Sequence, residues 1–280
     1  MDEFIHFFGG QLKKSLPTSI ILGMSKVIAI ANQKGGVGKT TTSINLSSAL
    51  SHLQKKVLLI DLDPQGNSGR GVGIDITTVK KTIYEVLDGH LNIKDCVTKT
   101  AFDGLCVVPG NLRLAGLEAS LYTNVVKEPF ALLKNALASI RDDYDYIILD
   151  CPPSLGLLSI NAMVASDSVL VPVQCEYFAM EGVASVLSSI SNVQNGLNPN
   201  LKIEGFLLTM YDSKTVLGTE IAAEVRRLFR ESTFLTSIPR NQSIQESQAR
   251  QMPVTAFRPT SSGSAAYFAL AREIIDHEER

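Results

Sequence analysis

The chain has 280 residues, 45% of them apolar and 19% charged, which is the balance of a soluble globule with a large core. About 150 residues per domain is the usual allowance, so two domains or one large α/β domain would fit. Its 20 glycines and 11 prolines are too few for a low-complexity chain. The net charge of −2 gives no global basic field, so any nucleic-acid contact must come from a local patch.

Residues 1–23 (MDEFIHFFGGQLKKSLPTSIILG) place acidic residues first and lysines later, the wrong order for a secretory signal. They read as a poorly ordered N-terminal extension, and Met24 would serve as a start by itself. From Lys26 onward short β-rich runs alternate with helical stretches. Strands are predicted over 27–31, 57–61, 105–108, 146–150, 168–173, 203–209 and 234–237, with helices over 40–53, 129–141, 182–193 and 218–229. Most of the strands are nearly continuous apolar runs, as in parallel strands buried on both faces. The alternation implies a single-domain α/β fold, a mostly parallel twisted sheet with helices on both faces. No linker or internal repeat divides residues 24–280. The cysteines (Cys96, Cys106, Cys151, Cys175) show no C-x-x-C spacing, which disfavours a zinc ribbon or disulfide framework and makes a reducing cytoplasm the expected compartment. No apolar run approaches the ~20 residues of a spanning helix.

Soon after the first strand comes Lys34-Gly35-Gly36-Val37-Gly38-Lys39-Thr40-Thr41. The pattern G-x-x-x-x-G-K-[ST] asks for glycine where Gln33 stands, so the match to the standard phosphate loop is incomplete. The physical logic survives. Glycines let backbone N–H groups approach phosphate oxygens, and the helix N-terminus that follows favours negative charge. Lys39 is expected on the β/γ-phosphates and the Thr40 hydroxyl on Mg²⁺. A ligand-free strand–helix turn is the plain alternative, and the order of strand, loop, Lys-Thr and helix argues against it. Lys34 lies on the strand side and need not serve its own nucleotide; taken alone it would be a solvated charge.

Two apolar strands end in aspartate, where ligands bind in open α/β sheets. The segments are Asp61-Leu62-Asp63-Pro64-Gln65-Gly66-Asn67 and Asp150-Cys151-Pro152-Pro153-Ser154. A carboxylate so placed can hold Mg²⁺, directly or through water, and another can orient the attacking water. A lone aspartate there is usually a turn or cap residue; two beside a phosphate loop point to a nucleotide site.

Lys34 through Thr42 resembles the deviant Walker A motif of the ParA/MinD ATPase superfamily, in which the first lysine reaches across a dimer to the partner's ATP. DLDPQGN resembles the switch I segment of Soj-type ParA proteins. That implies Asp63 positions or activates water close to the metal. DCPPS resembles Walker B and switch II, which implies that Asp150 acts through the Mg²⁺ shell. Further matches are PVQCEY (172–177), LTMYD (208–212) and IPRN (238–241). The last resembles the adenine-side loop, so the resemblance implies ATP, with Met210, Pro239 and Asn241 against the nucleotide. It covers about 24–274 and lacks the long N-terminal DNA-binding domain of larger plasmid ParA proteins.

The resemblance implies a slow, Mg²⁺-dependent ATP hydrolase in the cytoplasm, associated with the nucleoid. It would form a homodimer with ATP, bind double-stranded DNA without sequence preference, and be reset with a ParB-type partner. One rival is a MinD-like ATPase on the membrane, but the chain ends in AREIIDHEER, too acidic to favour anionic lipid. The other is a reductase or ligase on the same fold. An iron–sulfur protein would need cluster cysteines, and Cys96 and Cys106 are not suitably placed. Soj-like proteins carry DNA-face arginines where this chain reads Lys214 and Ser243. Arg226, Arg227 and Arg230, with Arg250 and Arg258 further on, are the candidate substitutes. A four-residue spacing would set Arg226 and Arg230 on one helix face. Each arginine taken singly reads as solvated surface.

Overall fold

The computed structural model describes residues 25–117, 128–176 and 179–278. The N-terminal extension and Tyr177 of the PVQCEY match lie outside these residues. Among the described residues, eight strands form one sheet in the order β3-β4-β2-β5-β1-β6-β7-β8. They are β1 (Lys26–Ile30), β2 (Val57–Asp61), β3 (Thr98–Lys99), β4 (Leu105–Val108), β5 (Tyr146–Asp150), β6 (Ser168–Gln174), β7 (Lys202–Tyr211) and β8 (Thr233–Pro239). Every pairing is parallel except the short β3–β4 pair.

The continuous apolar runs arise because both faces are covered. Val27 and Ala29 of β1 belong to one core, with Leu58, Leu149 and Val171. Ile28 and Ile30 belong to the other, with Leu59, Ile148 and Leu207. The helices are α1 (Lys39–His52), α2 (Asn67–Gly71), α3 (Ile83–Leu87), α4 (Leu132–Leu137), α5 (Leu157–Ala165), α6 (Ala179–Gly196), α7 (Val216–Phe229), α8 (Gln242–Ala249), α9 (Val254–Phe257) and α10 (Ser262–Glu278). Helix α10 closes the second core through buried Tyr267, Leu270, Ala271 and Ile274.

The sequence-predicted strands match to within two residues at every end. The helix predicted over 129–141 is shorter: α4 ends at Leu137 and a separate 3₁₀ turn follows at Arg141–Asp143. Side-chain bonds hold the chain on either side of α4. Asn161 of α5 donates Nδ2 to the Pro129 carbonyl and accepts from the Leu133 N–H. Arg141 is drawn to the Ser25 carbonyl and the Asp167 carboxylate.

Strand β1 has β5 on one side and β6 on the other, so the direction of winding reverses beside it. The crevice at that reversal, at the carboxyl ends of the strands, is where such sheets bind ligands. The 34–41 loop leaves β1 into it.

Candidate nucleotide-binding site

The loop between β1 and α1 is built from glycine backbone and anchored to two other strands, by its own Asn32 side chain on β6 and by the Thr209 side chain from β7. Gly36 (φ 76) and Gly38 (φ 90) adopt left-handed conformations that only glycine takes cheaply. Gly38 is also the N-cap of α1. A side chain added at Gly35 or Gly36 would meet nothing within 4 Å, so the loop's outer face is open. Buried Asn32 donates Nδ2 to the Pro172 carbonyl of β6 (2.7 Å) and accepts the Lys34 N–H. Buried Thr209, on β7, donates its hydroxyl to the Val37 carbonyl at 2.8 Å.

The two lysines are placed differently. Lys39 is buried, and its Nζ donates to the Lys34 carbonyl at 3.1 Å, filling the hollow of the loop. Burial lowers its pKa, opposed chiefly by Asp150. Lys34 points to the rim, with Nζ 4.0 Å from Glu176, which also holds Arg240 at 3.5 Å. Thr40 and Thr41, both half-buried, open α1, and the Thr41 hydroxyl accepts from Gln248 of α8.

Asp61 and Asp150 stand directly opposite each other in the β2–β5 register, both fully buried. Asp150 accepts the hydroxyls of Ser43 (3.0 Å) and Ser68 (2.7 Å), with the Thr40 hydroxyl also bonded to it. Burial pushes its pKa up to about 6, against the pull of these hydroxyls. Asp61 is raised well above its ordinary value by burial and by Asp150. Its oxygens accept from the backbone of Asp63, Ser68 and Gly69, so it caps α2. Asp63 is half-exposed and accepts from the Gln65 N–H, a local turn that leaves carboxylate capacity toward the crevice. The structure therefore brings together Gly35, Gly36, Val37, Gly38, Lys39, Thr40, Asp63 and Asp150. Asn32, Ser43, Ser68 and Thr209 join them without having been read from the sequence. Ser43 carried a signal, being one helical turn beyond Lys39, and Thr209 lay within the LTMYD match.

On the other flank, Met210 takes a left-handed φ of 51 where the β7–β8 register shifts. The ladder resumes at Tyr211 opposite Pro239, and the Arg240 N–H donates to the Tyr211 carbonyl. Met210 and Pro239 thus border the crevice. The Asn241 side chain caps α8 through the Ser243 N–H and donates to Ser262, and its carbonyl accepts from the Ile244 N–H.

The expected arginine group is not one patch. Exposed Lys214 precedes α7 at the carboxyl edge of the sheet. The 14 residues of α7 carry the chain about 20 Å to the amino edge, where Phe229 stacks on Phe206. Arg226, Arg227 and Arg230 lie at that far end. Arg230 leaves the helix at φ 35, so its Cβ is rotated off the face that Arg226 occupies, and the expected sharing of a face fails. Arg227 is paired with Glu224. Near the crevice, Ser243 is buried and the Arg258 guanidinium stands 3.5 Å from its hydroxyl. Arg258 and Arg250 both lie against the Phe257 ring.

Cys151 is buried beside Asp150, and burial raises its thiol pKa strongly; Cys96 and Cys175 are each pushed up to about 11. None is a poised thiolate. No helix among the described residues is long and apolar enough to cross a membrane.

Residues 25–203 match a protein-family description, AAA domain. The chain is 47% identical over 251 residues to the sporulation initiation inhibitor protein Soj of Bacillus subtilis (strain 168), covering 90% of this chain and 98% of that one. It is 45% identical over 255 residues to the chromosome partitioning protein ParA of Caulobacter vibrioides, covering 90% and 95%. Among solved structures, it resembles the cobyrinic acid a,c-diamide synthase of Mycobacterium smegmatis with bound ATP analog and magnesium. There the TM-score is 0.78 and the identity 36%, over 91% of this chain and 96% of that one.

Proposed function

The chain belongs to the ParA/Soj family of partitioning ATPases, within the ParA/MinD superfamily, and from that premise we propose that it is an ATP-driven dimerisation switch acting on DNA. The residues fit an Mg²⁺–ATP complex. The open glycine face and the first turn of α1 suit a phosphate chain. A buried carboxylate ringed by hydroxyls suits the metal. Thr40 and Asp150 would hold Mg²⁺, with Asp63 beside them, and Met210, Pro239 and Asn241 would line the base. Mg²⁺ held there would neutralise charge on the phosphate chain. Lys39 lies where it can take the phosphate charge in place of the Lys34 carbonyl, and Asp63 has a carboxylate oxygen free to orient water.

The observation that carries the reading is the separation of the two lysines. Lys39 is inside its own loop, whereas Lys34 stands at the rim, held weakly by Glu176 on a partly exposed surface. A rim lysine can serve the nucleotide of a second copy. Dimerisation would then complete each site, and hydrolysis, stimulated by a ParB-type centromere-binding partner, would reset it. The ATP dimer binds double-stranded DNA of any sequence, through Lys214 and Arg258 at the carboxyl edge, in a cytoplasmic, nucleoid-associated cycle.

Two observations weigh against the rivals. Helix α10 already buries its apolar residues against β8 and α1, and Glu278 at its end pairs with Lys26, so its apolar face is not free for lipid. The identity to the partitioning proteins exceeds that to the diamide synthase.

Analytical ultracentrifugation with ATP, beside nucleotide titration, tests the proposal. Lys39→Ala should lose nucleotide affinity by at least about tenfold, as expected when a charge-assisted hydrogen bond is removed. Lys34→Ala should keep its ADP affinity within about twofold, yet fail to dimerise and lose most of its hydrolysis. Equal loss of nucleotide affinity in both variants would overturn the cross-dimer role.

A further inference from the structure

We propose that Thr209, on β7 and far from the loop in sequence, is a positioning residue that sets the phosphate-facing amide of Gly38; this rests on the loop's being the phosphate site. The Thr209 side chain is buried, and its hydroxyl donates to the Val37 carbonyl at 2.8 Å. The peptide between Val37 and Gly38 is planar and trans, so its carbonyl and its N–H point in opposite directions. Holding the carbonyl against β7 turns the Gly38 N–H away from β7, toward the hollow that Lys39 fills.

Gly38 itself offers little resistance to rotation of that peptide. It sits at φ 90 with no side chain, and a Cβ there would touch only the Thr209 side chain, at 3.8 Å. It is the N-cap of α1 and makes no side-chain capping bond. The bond from Thr209 is therefore the constraint on this peptide supplied by another strand. Thr209 is itself fixed: it is paired with Gln174 on β6, and its carbonyl accepts from the Cys175 N–H. The next residue is Met210, in its left-handed conformation at the base-side flank. One strand end thus fastens the phosphate loop and borders the place expected for the base.

Thr209→Val keeps the shape and removes the donor, leaving a buried carbonyl without a partner. Thr209→Ser keeps the donor and loses the methyl. Titration with Mg²⁺–ADP and Mg²⁺–ATP should show about a tenfold rise in Kd for the Val variant, the same for both nucleotides, because one hydrogen bond's worth of orientation is lost from an amide that both would use. The Ser variant should stay within about threefold of wild type. Thermal melts run alongside separate loss of fold from loss of affinity. If the Val variant does not fold, a Ser and Ala pair carries the comparison, with Ser expected to bind and Ala to lose about tenfold. Val binding as wild type, or Ser as weak as Val or Ala, would overturn the assignment. Wild-type protein that binds no nucleotide would instead overturn the nucleotide reading, and the role of Thr209 with it.

Discussion

Asp61 and Asp63 stand two positions apart and do different work. The Asp61 carboxylate is spent on three backbone amides, so Asp61→Ala should remove the cap of α2 and orphan buried donors. Relief of its repulsion with Asp150 offsets part of this. The loss of acceptors is the larger effect, and urea unfolding should show a net destabilisation of about 1–3 kcal/mol. Asp63 is half-exposed, and its one side-chain bond goes to the Gln65 amide. Asp63→Ala should change stability by under about 0.5 kcal/mol, bind ATP normally, and lose at least about tenfold in hydrolysis measured by phosphate release. The sequence showed two acids in one segment, and only the resemblance separated them, since a strand-end carboxylate and its neighbour look alike until the amides around them are placed. Lys39, Thr40 and Asp150 were legible because local order dictates their placement. Asn32 and Thr209 were not, because the partner of one lies on strand β6 and that of the other in the loop far back in the chain.

At the scale of elements, β8 is one edge of the sheet. Such an edge is a template for another strand. Leu235 on it is 88% exposed, yet the neighbouring backbone is guarded: Glu273 of α10 accepts from the N–H groups of Leu235 (2.7 Å) and Thr236 (3.0 Å). Glu273→Ala should free both amides beside an apolar side chain, and light scattering should register concentration-dependent self-association that wild type lacks; Glu273→Gln, which keeps an acceptor, should lie between. The strands were legible because burial on both faces writes itself as an apolar run. Strand β3 was missed, being two residues long, half-buried Thr98 and exposed Lys99. Helix α8, QSIQESQA, has Ile244 as its one buried apolar residue, and its start is set by the Asn241 cap, so periodicity had little to report. The start of α4 depends on Asn161 and the turn after it on Asp167, neither of which local propensity sees.

The whole molecule has two ends. The carboxyl edge of the sheet carries the glycine loop, Lys214 and the Arg258–Ser243 contact. The amino edge carries a polar network in which Lys26 bridges Glu204 and Glu278, together with the arginines that end α7. If DNA lies along the carboxyl edge of an ATP dimer, Lys214→Ala and Arg258→Ala should each lower the salt slope of log K by about 0.9 for every phosphate no longer neutralised, whatever the duplex sequence. Arg230→Ala, at the other edge, should leave the slope unchanged. Fluorescence anisotropy across a salt series measures this, and a flattened slope for Arg230→Ala alone would move the surface to the amino edge. The strand order also imposes a timetable on folding. Strand β1, from which the glycine loop springs, does not pair with β2; its ladders are Val27 with Ile147 on one side and Ile28 with Ser168 on the other. During synthesis this strand is thus left without its neighbours until much of the chain has followed. The loop that follows it is closed by late-arriving strands, so an incomplete chain holds the motif's letters and none of its shape.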